Sequence, residues 1–213
     1  MDRETVVAVP TPSLVLMVGP AGSGKSAFCR RNFPPAAVVS SDACRAALSG
    51  DAADQAVSAA AFALAHARLE ARLRRRRLAV LDATSLEAAA RARALEIAVR
   101  HHLPAVAIVL DLSAEECVRQ DATRGDGRRV GRAVIERHAR GLKAALPAIG
   151  REPFAAVHRL RGAGDSGRAK VALSPLPCDR AAERGPFDVI GDLHGCLDEL
   201  ESLLHRLGYR REG

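Results

Sequence analysis

The chain has 213 residues, 48% of them apolar but only 3% aromatic, which suffices for one α/β domain with a Leu, Val, Ile and Ala core and the beginning of another. A net charge of +7 and a pI near 9.8 suit a polyanionic partner such as nucleic acid, although a basic surface without one gives the same sum. No apolar stretch reaches membrane length and no charged segment leads into an apolar one, so neither a spanning protein nor a secretory leader is expected.

Met1 to Ser13 reads as a polar start with two prolines. Leu14-Val-Leu-Met-Val18 is a short apolar run and predicts a buried strand. Gly19-Pro-Ala-Gly-Ser-Gly-Lys25-Ser26 follows it and fits the phosphate-binding loop pattern G-x-x-x-x-G-K-[ST]. Glycines at 19, 22 and 24 let the backbone curl so that N–H groups, including that of Ser23, point inward at phosphate oxygens. Lys25 brings a positive charge to the β- and γ-phosphates of ATP, and the Ser26 hydroxyl is a ligand for the bridging Mg²⁺. A helix beginning at Ser26 places its N-terminus behind the anion.

Ala36-Ala-Val-Val39 predicts a second strand, ending in Ser40-Ser-Asp-Ala-Cys-Arg45. A carboxylate at the C-terminal end of a strand in an open α/β sheet lies where ligands bind. Asp42 there accepts a proton from an attacking hydroxyl, or else Ser41 or Asp42 caps the next helix. Asp51 to Arg77 has the longest helical pattern, with Phe62, Ala65, Leu69 and Leu73 on one stripe. Its Arg74-Arg-Arg-Arg77 end suits a solvated helix C-terminus or a nucleic-acid contact.

Leu78-Ala-Val-Leu-Asp82 predicts a third strand. Asp82 either helps to position Mg²⁺ from behind its direct ligands or caps the helix Glu87–Arg100, with Ser85 as the competing cap. Ala105-Val-Ala-Ile-Val-Leu-Asp111 predicts a fourth strand, and Ser113-Ala-Glu-Glu116 opens a helix with a capping box. The arginine-rich stretch 119–132 forms a phosphoryl-binding lid or a solvated charged helix. An amphipathic helix over 133–146 and a fifth strand over 154–160 complete the pattern. Strand and helix alternate, so the expected fold is α/β: a parallel sheet flanked by helices on both faces, of P-loop kinase type.

Residues 161–186 turn to Gly, Ser, Pro and charge and read as a linker. Phe187-Asp-Val-Ile-Gly-Asp192-Leu-His194-Gly195 then reads as a strand that delivers Asp192 and His194 at its end, a ligand spacing suited to a binuclear metal centre or an ordinary strand end. A helix over 197–207 follows. The five cysteines (29, 44, 117, 178 and 196) are odd in number and unpaired in spacing, so they read as reduced thiols and the expected location is cytoplasmic.

The order of these pieces resembles the bacterial polynucleotide kinase–phosphatase family. The resemblance rests on Gly19–Ser26, on Ser40-Ser-Asp-Ala-Cys-Arg45, on Leu81-Asp-Ala-Thr84, on the arginine segment and on Gly185 to Cys196. It implies a kinase domain over 1–160, a linker over 161–186 and the first part of a metallophosphoesterase over 187–213. It implies transfer of the ATP γ-phosphate to the 5′-hydroxyl end of RNA or DNA during end healing, with ATP and Mg²⁺, alongside RNA-repair ligase or end-modifying partners. Asp42 is then the general base, Arg45 holds the acceptor's phosphate, and Arg124 and Arg128 hold the donor's. Asp192 and His194 are the remnant of a phosphatase site that is inactive alone. Two positions depart from the family pattern: Gln120 and Gly127 stand where outer lid arginines belong, with Arg119 and Arg128 each one residue away, and Ser85 replaces the usual Asn after Asp-Ala-Thr. The alternatives are a P-loop kinase of small molecules, and a nucleic-acid-stimulated NTPase or regulatory binding module.

Overall fold

A computed structural model of the chain describes residues 5–123, 125, 129–180 and 183–210. It divides into two compact units, Met1–Leu176 and Pro177–Gly213. In the first, a five-stranded parallel sheet runs in the order β3 (Val38–Ser40), β4 (Ala79–Asp82), β2 (Leu14–Val18), β5 (Ala105–Asp111), β6 (Ala156–Arg161). Helices α1 (Lys25–Asn32), α2 (Ser41–Ser49), α3 (Ser58–Arg74), α4 (Ala88–Arg100), α5 (Ala114–Ala122) and α6 (Arg132–Ile149) connect the strands.

The continuous apolar runs of β2 and β5 are buried because helices cover both faces of a parallel sheet. Alternate residues serve opposite layers. Val15 and Met17 pack with Phe28, Cys29 and Phe33 of the α1 side and with Ile135 of α6. Leu14 and Leu16 pack with Ala61, Ala65, Leu69 and Leu73 of α3 and with Leu95 and Ala98 of α4. The stripe expected over 51–77 is thus real, although the helix itself starts at Ser58. Ser113 and Glu116 form the expected capping box at α5.

The ends of this unit differ from expectation. Val6–Thr11, read as part of a polar start, is β1, and its Val7 and Val9 are fully buried while Val6 is exposed. Residues 161–186, read as a linker, begin with α7 (Gly162–Arg168) and β7 (Lys170–Pro175). β7 pairs in parallel with β1, Val7 opposite Val171, as a separate two-stranded sheet. The unit therefore runs to Leu176 instead of ending at 160. Gly and Ser content concealed this because the stability of β7 comes from backbone bonds to a strand some 160 positions away, which local composition does not report.

In the second unit, α8 (Leu197–Arg206) forms with exposed Leu197 and Leu203. The expected strand over 187–191 is absent: those residues take no regular secondary structure, and an apolar run alone cannot satisfy a strand's backbone groups. The Tyr209 hydroxyl donates to Asp188 Oδ2 at 2.5 Å.

Candidate active site

The loop after β2 is shaped by its glycines. Gly22 has φ +79, and a Cβ there would stand 2.5 Å from the carbonyl oxygen of Cys117 on α5. Gly24 has φ +83 and leads into α1 in the left-handed conformation. Gly19 N–H donates to Thr84 O at 3.0 Å, which ties the loop to the turn after β4. Ser23 is buried beside Gly19. Lys25 is also buried, and its Nζ donates to the carbonyls of Gly19 (2.9 Å) and Pro20 (2.6 Å). The ammonium is thereby held against the loop whose amides define the phosphate cradle.

Asp82 ends β4 with its side chain almost wholly buried, and it accepts a hydrogen bond from the Ser26 hydroxyl. Burial pushes the Asp82 carboxyl up, while the Ser26 bond and the Lys25 charge pull it down. A hydroxyl and a carboxylate side by side are hard oxygen donors, the set that suits Mg²⁺. The helix after β4 has Glu87 at its N-terminus with no side-chain cap, so neither Asp82 nor Ser85 serves as one. Instead Arg91, fully buried, donates to the Ser85 and Leu86 carbonyls (3.0 and 2.7 Å) and makes a two-pronged pair with Glu152 (2.8 and 2.6 Å). That clamp fixes the turn behind Asp82.

At the end of β3, Ser40 caps α2 by accepting from Ala43 N at 3.3 Å. Asp42, released from capping, is exposed and pairs with Arg45 one turn on. Arg45 also donates from Nε to Ala52 O at 2.8 Å, which fixes its guanidinium. A 560 Å³ cleft is lined by Ser26, Arg30, Ser40, Asp42 and Asp82 together with the apolar Phe33, Pro35 and Val38; Arg45 stands outside this lining and meets it through Asp42 and Ala52. The size of the cleft suits a nucleotide-sized ligand.

On α5, Gln120 Oε1 lies where a Cβ on Gly24 would meet it at 3.1 Å, so position 120 faces the phosphate loop while Arg119 is exposed. Arg124 and Arg128, the expected lid residues, lie outside the described residues. Asp192 and His194 are exposed, with His194 Nε2 3.7 Å from Asp192 Oδ2. Among the described residues no group of three or more His, Cys, Asp or Glu could hold a metal ion.

Sequence reasoning missed two contributors. Arg30 lines the cleft from the last turn of α1. His138 on α6 accepts from the Ala21 N–H of the phosphate loop at 3.3 Å through Nδ1. A His facing the buried side of an amphipathic helix gives no sign in sequence that a loop over a hundred residues earlier leans on it. Burial first, then the Lys25 and Arg137 charges, hold His138 below the usual imidazole value of about 6.5. It is therefore neutral at pH 7 and able to accept. With a folded-state pKa depressed below the unfolded one, the bond is complete above about pH 6.5 and is lost as pH falls through the lowered value. His138→Ala is expected to weaken ATP binding several-fold at pH 7, for one lost hydrogen bond of about 1 kcal/mol, and to remove the acid limb of the binding profile. Titration of both proteins with ATP from pH 5 to 8 checks this.

An AAA domain family model matches residues 14–148, from β2 through α6. The chain belongs to this AAA family. The AAA domain carries a P-loop kinase fold, and with it a nucleotide-binding loop. Among solved structures, a chain of the Pnkp1/Rnl/Hen1 RNA repair complex is similar at TM-score 0.57 and 25% identity over 66% of this chain. The present chain spans about half, 47%, of that relative's length. A gluconokinase from Sinorhizobium meliloti 1021 is similar at TM-score 0.49 and 17% identity, over 73% of this chain and 85% of its own. Kti12 from Chaetomium thermophilum reaches TM-score 0.49 at 14% identity, over 72% of this chain and 93% of its own. No curated protein matches the AAA chain by sequence. None of its helices, among the described residues, is long and apolar enough to cross a membrane.

Proposed function

We propose that this AAA-family protein transfers the γ-phosphate of ATP to the 5′-hydroxyl end of RNA or DNA. The observation that carries this reading is that Asp42, which lines the same cleft as Ser26 and Asp82, is paired with Arg45. A carboxylate and a fixed guanidinium share one helix face beside the phosphate loop, as an acceptor with a hydroxyl and a neighbouring phosphate requires. The likeness to a chain of an RNA repair complex supports the same reading.

In the reaction the 5′-hydroxyl oxygen bonds to the γ-phosphorus, the bond from that phosphorus to the β,γ-bridging oxygen breaks, and ADP leaves. Asp42 accepts the hydroxyl proton. Loop amides and Lys25 bind the phosphates and neutralise the charge that moves toward the leaving oxygen. Ser26 would hold Mg²⁺, with Asp82 positioning it from behind, and the ion would supply positive charge to offset that of the phosphates. Arg124 and Arg128 act on the donor phosphates from the lid. Arg45 orients Asp42 and grips the phosphate 3′ to the terminal nucleoside without reading its base. The segment 187–213, with Asp192 and His194, hydrolyses no phosphoester alone, since two ligands cannot fix two metals. RNA-repair ligase or end-modifying partners fit an end-healing kinase.

Arg45→Ala separates this from a small-molecule kinase. Loss of a bidentate charge-assisted contact is expected to lower kcat/KM for a nucleoside 3′-phosphate by about 10- to 100-fold. Any loss that comes through the misdirected Asp42 affects a bare nucleoside and its 3′-phosphate alike, so the ratio between them isolates the phosphate contact. Equal use of the two acceptors by the wild type, with no change of ratio in the variant, contradicts the polynucleotide reading.

A further inference from the structure

A second concave surface shares helix α1 with the acceptor cleft. Arg30 lines the cleft, and the next two residues, Arg31 and Asn32, line a groove of 670 Å³ completed by Gly167, Arg168, Ala169, Lys170 and Val171. The groove is built, not merely charged. Arg31 donates to Ser166 O at 2.8 Å and lies over the Phe28 ring, 5.9 Å from its centroid. Asn32 Oδ1 accepts from Val171 N at 3.0 Å, which binds α1 to β7. Arg168 and Lys170 are exposed in the same groove, and Asp165, an acidic neighbour of Arg168, is 3.9 Å away. The β1–β7 sheet and α7 thus bring cations from the end of the unit to the helix that carries the phosphate loop.

We propose that this groove binds the sugar-phosphate backbone of a single-stranded nucleic acid, one to several nucleotides beyond the end held at Asp42. The inference rests on the polynucleotide reading of the cleft and adds the path of the strand: out past Arg30, over the C-terminal end of α1, and along Arg31, Arg168 and Lys170. Consecutive α1 residues supply a cation to each of the two cavities, which suits a continuous polyanion more than a mononucleotide. The groove is concave and carries cations from both α1 and β7, which fits a flexible polyanionic strand. Its cations suit phosphate contacts and the Asn32 Oδ1 is already taken by Val171 N–H, so binding through the backbone is expected to be indifferent to sequence.

The test compares three proteins: the wild type, Arg168→Glu/Lys170→Glu, and a control with the same charge change at the far basic cluster, Arg75→Glu/Arg77→Glu. Each is checked for fold by circular dichroism, then assayed with a 5′-OH 12-mer RNA and with a nucleoside 3′-phosphate. Anisotropy measures 12-mer binding separately from phosphorylation. The groove variant is expected to lose at least tenfold in 12-mer affinity and in kcat/KM for the 12-mer, keep its activity on the nucleoside 3′-phosphate, and flatten the salt dependence of binding by about 1.4 in slope for two lost contacts. The control keeps 12-mer affinity within a few-fold. Equal losses in both variants, equal losses on both acceptors, or no loss of 12-mer affinity overturns the groove. A wild type that binds the 12-mer through the groove but phosphorylates neither acceptor leaves the groove standing and removes the kinase reading.

Discussion

Lys25→Ala is expected to abolish phosphoryl transfer to within the detection of an ordinary assay, with kcat/KM for ATP down at least about 10²–10³-fold. That is the range for removing one preorganised donor from a developing charge. The loss falls on both binding and turnover, because the ammonium lies against the Gly19 and Pro20 carbonyls of the loop that receives the phosphates. The fold survives. Lys25 sits at the first turn of α1, and the packing of that helix rests on Phe28, Cys29 and Phe33. Alanine removes two hydrogen bonds to loop carbonyls, about 1–3 kcal/mol in all, against a core built on both faces of the sheet. Steady-state kinetics with a thermal melt checks both halves, and near-normal turnover in a folded variant contradicts the role of the loop.

Asp42→Asn is expected to lower kcat by about 10²–10⁴-fold, the contribution of a positioned general base, and to leave acceptor KM within a few-fold. Asparagine keeps the shape and the hydrogen-bonding reach toward Arg45 but cannot take the proton. The stability change is small, because Ser40 and not Asp42 caps α2. What Asp42 gives the helix is a carboxylate near its N-terminus, worth about 0.3–1 kcal/mol at an exposed site. Asp42 is exposed enough for that lower range to apply. A variant that loses stability by several kcal/mol while turning over normally would make Asp42 a structural residue.

The parts of the site legible in the sequence were those whose chemistry is local. Gly19 to Ser26 states its own backbone requirement, and the structure gives the reason at Gly22, where the carbonyl of Cys117 leaves no room for a side chain. Asp42 and Asp82 were legible because each follows an apolar strand, and a parallel sheet gathers its strand ends at one edge. Whether either was a cap was not legible. Ser40 resolves the first case, since one hydroxyl in the right φ/ψ takes the role from its neighbours, and Glu87, without a side-chain cap bond, resolves the second. β1 and β7 were missed because each is stable only against the other. Val6 to Val9 is a short continuous apolar run, a strand signal that the two prolines beyond it obscured, and its exposed–buried alternation shows only in the structure. The apolar run at 187–190 misled in the opposite sense, since hydrophobicity without a neighbouring strand makes no sheet. His138 and Arg30 were beyond sequence altogether, because their roles depend on which helix face meets the loop and the cleft.

The most direct test of the central claim is transfer of label from γ-labelled ATP in the presence of Mg²⁺ to a 5′-OH oligonucleotide, with a 5′-phosphorylated oligonucleotide and a sugar acid as parallel acceptors. The account predicts label on the 5′-OH strand alone, at its 5′ terminal nucleotide after digestion. Label released only as inorganic phosphate, or transferred to the small molecule and not to the strand, contradicts it.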